Sequence, residues 1–291
     1  MAQMTVGIVG LGIMGGAIAR NLLAAGVQVR GYDIDAARFE ALKPGGVATK
    51  SAGEAAQGAD VVLTSLPSIK ALDETVASLI AAKVPGLVVA ELSTLPIEAK
   101  EKARAALAGG GITLLDCPLS GTGAQAVTRD LAVYGSGERA GYDRAEPAFR
   151  GFARVTHYLG AFGNGSKMKF IANLLVAVHN VASAEAMVLG ATAGLDPDTI
   201  VKVIASGAGN SRVFELRAPL MATGDYAPTM KIDIWQKDMA IIADFARSLG
   251  VPVPTFAASA PVYDAAQAAG FGGEDTAAVA KVLAARAKRA N

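Results

Sequence analysis

Residues 5–15, Thr5-Val6-Gly7-Ile8-Val9-Gly10-Leu11-Gly12-Ile13-Met14-Gly15, decide the fold of this chain. A β-branched run leads directly into Gly-x-Gly-x-x-Gly, the pattern of a strand turning into a helix around a dinucleotide pyrophosphate. Gly10 permits the tight turn, Gly12 lets the backbone approach the phosphates, and Gly15 lets helix and strand pack closely. The following helix would offer free N–H groups and the positive end of its dipole to the phosphates. Leu11, Ile13 and Met14 complete this cofactor-binding turn. Asp33 ends the next β-branched run, where a carboxylate accepts hydrogen bonds from the adenosine ribose. A 2′-phosphate would meet that charge and Asp35 beside it, so NAD is expected. NADP is the alternative, with Arg38 as the residue that would favour it.

Outward from this turn, residues 27–33, 60–66, 87–92 and 113–117 read as further buried strands, bounded by glycine, proline or polar residues. Helical patterns at 15–25, 36–42 and 97–108 fill intervals between them. Residues 131–135 and 154–159 read as two later strands, expected to extend the sheet. Past Gly163 the pattern changes: residues 166–193 contain no proline and one interior glycine, Gly190. Such a helix would be about 40 Å long. Gly194 and Pro197 stop it, and further helices are predicted at 197–206, 212–217, 232–249, 254–269 and 276–287. No strand is predicted after residue 159. The expected fold is a Rossmann-type α/β doubly wound parallel sheet in residues 1–162, followed by an all-α domain in residues 163–291 with a long interdomain helix.

With 27 basic against 26 acidic residues, the chain has no field that would favour nucleic acid or a membrane surface. Lys281, Arg286, Lys288 and Arg289 read as ordinary charges on a terminal helix. A 52% hydrophobic composition is enough for a sizeable core. The first strand begins so early that no signal peptide is expected before it. No uninterrupted apolar run approaches the ~20 residues of a membrane span, so a soluble cytoplasmic protein is expected. The single cysteine, Cys117, fits a reducing compartment and reads as a core residue. The long helix is rich in alanine and valine almost all round. It must be covered on most faces, which predicts a homodimer or homotetramer.

Two stretches carry chemistry. In residues 163–173, Gly-Asn-Gly-Ser-Lys-Met-Lys-Phe-Ile-Ala-Asn, Lys169 and Asn173 lie four apart, one turn along a single helical face. Lys167 is about 200° round the axis from Lys169, so the two cannot share that face. The glycine-rich stretch 116–123, Asp-Cys-Pro-Leu-Ser-Gly-Thr-Gly, offers hydroxyl and amide donors to an anion. His157 and His179 belong to no catalytic motif. No His, Cys or carboxylate cluster has metal-ligand spacing, so no metal is expected.

These motifs resemble the β-hydroxyacid dehydrogenases, the group that includes 3-hydroxyisobutyrate dehydrogenase, tartronate semialdehyde reductase and L-threonate dehydrogenase. The resemblance runs nearly the whole length. It rests on Gly10–Gly15 as the opening fingerprint, on 116–121 against the usual Asp-Ala-Pro-Val-Ser-Gly, on Gly163-Asn164-Gly165 with Lys169 and Asn173, and on Lys237-Asp238-Met239. It implies NAD-dependent oxidation of a small 3-hydroxy acid, with hydride passing to the nicotinamide and Lys169 as general acid/base. Burial would lower that lysine from its ordinary pKa of ~10.4. Asn173 would orient the lysine or the reacting oxygen. Ser120, with backbone N–H groups around Gly121 and Thr122, would bind the substrate carboxylate. Thr94, Leu66 and Pro67 would meet the cofactor, Lys237 would reach the cofactor side of the substrate site, and Asp238 lies beside it.

The sequence departs from the family at Thr122, where a glycine is usual, at Met230, where an aromatic residue is common, and at Ala172, where asparagine is usual. Thr122, Met230 and Trp235 are expected among the residues that select the substrate. Residues 232–238 resemble the threonate branch more than 3-hydroxyisobutyrate dehydrogenase, which makes an aldonate dehydrogenase, or a semialdehyde-acid reductase, the alternative. Outside the class, the alternatives are an imine reductase or a non-catalytic dinucleotide-binding module.

Overall fold

The computed structural model describes residues 4–289, with side chains through residue 287, so those of Lys288 and Arg289 lie outside the described residues. The chain divides into two compact units, Met1–Lys169 and Phe170–Asn291.

In the first unit, β1 (Thr5–Val9), β2 (Gln28–Tyr32), β3 (Val47–Ala48), β4 (Val61–Thr64), β5 (Val88–Glu91) and β6 (Thr113–Asp116) form a six-stranded sheet in the order β3-β2-β1-β4-β5-β6. Its pairings are all parallel. Parallel neighbours need crossovers. These are α1 (Ile13–Ala24), a 3-10 turn over Ala36–Leu42, α2 (Ala52–Ala56), α3 (Ile69–Ala81) and α4 (Ile97–Ala108). Successive strand residues face opposite sides, which builds two cores. Val6, Ile8, Val61 and Leu63 pack with Ile18 and Leu22 of α1, while Val9, Val62 and Val89 pack with Leu72 and Leu79 of α3 and Leu107 of α4. The strand order reverses between β1 and β4, and ligands bind such sheets at the carboxyl ends flanking that point.

After β6 come β7 (Leu119–Ser120), α5 (Gly123–Val127), β8 (Ala132–Gly135), α6 (Arg139–Phe152) and β9 (Val155–Tyr158). Contrary to the sequence-based expectation, β8 and β9 do not extend the large sheet. They form a separate three-stranded sheet with β7, in which β7 pairs antiparallel with β8 and β8 parallel with β9. Pro118 has no N–H to continue a ladder past β6. An isolated antiparallel bridge between Asp116 and Ser136 ties the two sheets instead.

The helix α7 (Asn164–Thr192) begins in the first unit and continues into the second. By length and composition it is long and apolar enough to cross a bilayer, and 33% of its most apolar window is buried within the chain. It is followed by α8 (Pro197–Ala205), α9 (Arg212–Thr223), α10 (Ile232–Ser248), α11 (Pro254–Ala266), a π turn over Gln267–Phe271, a 3-10 turn over Thr276–Ala278 and α12 (Val279–Arg289). Among the described residues no strand follows β9. Caps set the starts: Asp196 accepts the Thr199 N–H and Ser211 the Phe214 N–H. The helix α9 runs past its predicted end, through Pro219, and stops where Gly224 adopts φ +71°.

Candidate active site

The glycine turn behaves as its sequence requires. Gly10 has φ +89°, and a Cβ there would run into the Ser65 carbonyl. A Cβ on Gly15 would run into the Gly10 carbonyl. Gly12 differs: a Cβ there would meet nothing, so no packing within the chain calls for glycine, and the space at the start of α1 stays open. Gly12 is also the N-cap of α1 and brings no side chain to its first N–H groups, which suits an incoming phosphate. Asp33 Oδ2 accepts the Leu11 N–H at 2.7 Å, and Oδ1 accepts the Asp35 N–H at 2.9 Å. The carboxylate is thus held beside the turn, with further lone pairs for ribose hydroxyls. Leu66 is buried and donates its N–H to Ser93 Oγ at 2.7 Å, Pro67 is exposed, and Thr94 is half-buried. These residues sit at the carboxyl ends of β1, β2, β4 and β5, and they fit a dinucleotide.

Ser120 and Gly121, at the end of β7, are half-buried, and Gly121 has φ +131°. The Thr122 N–H donates to Gln125 Oε1 at 3.0 Å, so that amide is already engaged within α5. The first turn of α7 presses on β6 and β8: a Cβ on Gly165 would run into the Tyr134 carbonyl and approach the Asp116 carbonyl at 2.6 Å. Of the two lysines on this turn, Lys169 is buried at 8% exposure. Lys167 is exposed, with Nζ 3.3 Å from Asn164 Oδ1.

A buried charge cluster beneath these segments was not singled out from sequence. Lys100 Nζ donates to Asp116 Oδ1 at 2.8 Å and to the Ser93 carbonyl at 2.7 Å, and lies 2.6 Å from Glu91 Oε2. All three charged side chains are fully buried. Burial opposes the ammonium, but the Asp116 and Glu91 carboxylates more than offset it and hold Lys100 above the ordinary lysine range. The available signal was spacing: Lys100, Ala103 and Leu107 form the buried stripe of α4, so a lysine occupies a core position. Cys117 is buried beside this cluster. Burial and the neighbouring carboxylate push its thiol well above the usual range, which leaves it unreactive.

In the second unit, Asn173 Nδ2 donates to Asp238 Oδ2 at 3.0 Å, and Lys237 Nζ lies 3.6 Å from Asp238 Oδ1. Asp238 therefore ties α7 to α10. Trp235, expected among the substrate-selecting residues, is buried, and its ring lies 6.3 Å from that of Tyr263. Met230 is half-buried and donates its N–H to Asp275. Among the described residues, no group of three or more His, Cys, Asp or Glu side chains is placed to share a metal ion.

A parallel sheet whose first glycine turn leaves the start of α1 open to a phosphate, with Asp33 held beside it, fits a dinucleotide-binding protein. Residues 5–160 match the NAD binding domain of 6-phosphogluconate dehydrogenase, and residues 163–283 match a domain described as NAD-binding of NADP-dependent 3-hydroxyisobutyrate dehydrogenase. The chain is 38% identical to L-threonate dehydrogenase of Cupriavidus necator over 96% of its own length and 95% of that protein's. It is 31% identical to 3-sulfolactaldehyde reductase of Escherichia coli, with 94% of each chain covered. The crystal structure of a 3-hydroxyisobutyrate dehydrogenase from Salmonella typhimurium superposes with a TM-score of 0.87 at 33% identity, covering 96% of this chain and all of that one. The chain belongs to the β-hydroxyacid dehydrogenase family. It is an NAD(P)-binding oxidoreductase acting on the CH–OH group of small hydroxy acids.

Proposed function

We propose that the chain oxidises an aldonate of the L-threonate kind with NAD, using Lys169 as general acid/base; 3-hydroxyisobutyrate, or a semialdehyde acid used in the reducing direction, is the alternative. The observation that carries the chemistry is the burial of Lys169 one turn from Asn173, while Lys167 faces out. When bound, the nicotinamide accepts or supplies the hydride. Lys169 Nζ takes the hydroxyl proton on oxidation and returns it on reduction. Asn173, its amide fixed by Asp238, orients the reacting oxygen. Ser120 Oγ and the Gly121 N–H receive the substrate carboxylate, with the Thr122 side chain bounding that pocket. Gly10, Leu11, Gly12, Ile13, Met14, Gly15, Asp33, Leu66, Pro67 and Thr94 hold the dinucleotide. Preference for NAD is supported by the Asp33 and Asp35 carboxylates and by Arg38, which is paired with Asp35 at 3.5 Å. We put the functional domain boundary at residues 162/163, a reading supported by family matches over residues 5–160 and 163–283. The aldonate reading is supported by the L-threonate dehydrogenase named above.

Turnover followed by reduced-nicotinamide absorbance, with NAD and NADP for aldonates and 3-hydroxy acids and with NADH and NADPH for cyclic imines, tests this reading. L-Threonate with NAD is expected to give the highest kcat/KM. Turnover of an imine with no hydroxy acid oxidised would overturn it.

The homo-oligomer belongs to the same proposal, as a dimer or tetramer in the cytoplasm. Met168, Ile171, Leu175 and Leu189 recur at coiled-coil spacing along α7 and are 39–73% exposed. That stripe is the face a second copy would cover. Light scattering on protein prepared without detergent should give a dimer or larger; a particle of monomer mass would refute it.

A further inference from the structure

Lys100 is a fully buried cation that the proposed chemistry does not use. A charge held away from water needs well-placed partners, and a buried ion pair fixes geometry that apolar packing would let slide. Here the partners converge on one helix start. Asp116 Oδ1, which accepts from Lys100, also accepts Ser166 Oγ at 2.7 Å, and Asp116 Oδ2 accepts the Ser166 N–H at 2.7 Å. Ser136 Oγ accepts the Gly165 N–H at 2.9 Å and lies 3.3 Å from Asp116 Oδ2. Two backbone amides of the first turn of α7 are thus bound to a single cluster, and the negative Asp116 suits the positive end of the helix. Gly165 has no room for a side chain, so the turn cannot roll without breaking these bonds. Lys169 lies three residues beyond Ser166, and the rotation of this turn sets where its ammonium stands.

We propose that the buried Lys100–Asp116 pair is a positioning device for Lys169: it clamps Gly165 and Ser166 and thereby fixes the axial rotation of the helix that presents the acid/base. The proposal rests on the role given to Lys169 above.

Ser166→Ala removes one bond to Asp116 at little cost to folding, and Lys100→Met removes the cation. Each is compared with wild type by kcat, KM, NADH affinity, and amide hydrogen exchange of residues 164–172 in the cofactor-free protein. In Ser166→Ala, kcat is expected to fall about 5–10-fold, with KM and NADH affinity held within about 2-fold. Exchange should quicken across 164–172 and stay unchanged elsewhere. Lys100→Met should show the same pattern more strongly; where it does not fold, Ser166→Ala decides. Unchanged kcat in Ser166→Ala would overturn the proposal even if local exchange quickens, because the cluster would then be structural only. A fall in kcat without local quickening would overturn it as well. Lys169→Ala assayed in parallel separates the two failures: wild-type turnover there sinks the acid/base assignment, and exchange still reports on the clamp.

Discussion

Replacing Lys169 with alanine is expected to lower kcat by about 10²–10⁴-fold, the usual worth of a positioned acid/base. NADH affinity should stay near wild type, because the fingerprint turn and Asp33 lie on other elements. Lys169→Arg should not rescue turnover: a guanidinium keeps its proton at any working pH and cannot accept one from the substrate. A small primary amine added to the alanine variant should restore part of the rate. Lys167→Ala should stay within about twofold of wild type, since that side chain is exposed and surface changes are nearly neutral. If Lys169→Ala keeps a tenth or more of kcat, the acid/base lies elsewhere.

The parts of this site that were legible in the sequence are those encoded within one element. Gly10, Gly12 and Gly15 sit on one strand–helix turn, and Lys169 and Asn173 on one helix face, so spacing alone fixes their geometry. Buried parallel strands were legible as continuous apolar runs. The two-residue strands β3 and β7 were not, because partners rather than a hydrophobic pattern hold them in place. Strands β8 and β9 were visible, but their sheet was not, since pairing depends on residues distant in sequence. Lys100 was hidden for a related reason. In Ile97–Ala108 it stands among Glu98, Glu101, Lys102 and Arg104 and reads as one more charge on a solvated helix. Only the fold brings Glu91 and Asp116 to it.

The same kind of nonlocal pair sets the stability of the helical unit. Arg217→Met is expected to destabilise it by about 3–5 kcal/mol, because the change strands a buried carboxylate. Arg217 Nε lies 3.3 Å from Asp275 Oδ1 and donates to Thr276 Oγ1 at 2.7 Å. Asp275 Oδ2 in turn accepts the N–H groups of Thr229 and Met230 at 2.9 and 3.0 Å, fixing the segment that leads into α10 and its Lys237–Asp238 pair. Burial would raise the Asp275 carboxyl, but Arg217 and these hydrogen bonds hold it below its ordinary value. A depressed pKa contributes stability above the unfolded value of ~3.9, which is lost as pH falls through the folded value. In Arg217→Met the leading opposition to burial is gone and the carboxyl rises, so protonation relieves the variant while it weakens the wild type. The stability gap should therefore be widest near neutral pH and narrow towards about pH 4. Urea unfolding followed through Trp235, the chain's single tryptophan and a core residue of this unit, reads that gap directly. A gap independent of pH would mean that Arg217 acts by packing alone. Recovery in the Arg217→Met/Asp275→Asn double variant would confirm that the cost lies in the unpaired charge, since replacing both partners of a buried pair is far milder than removing one.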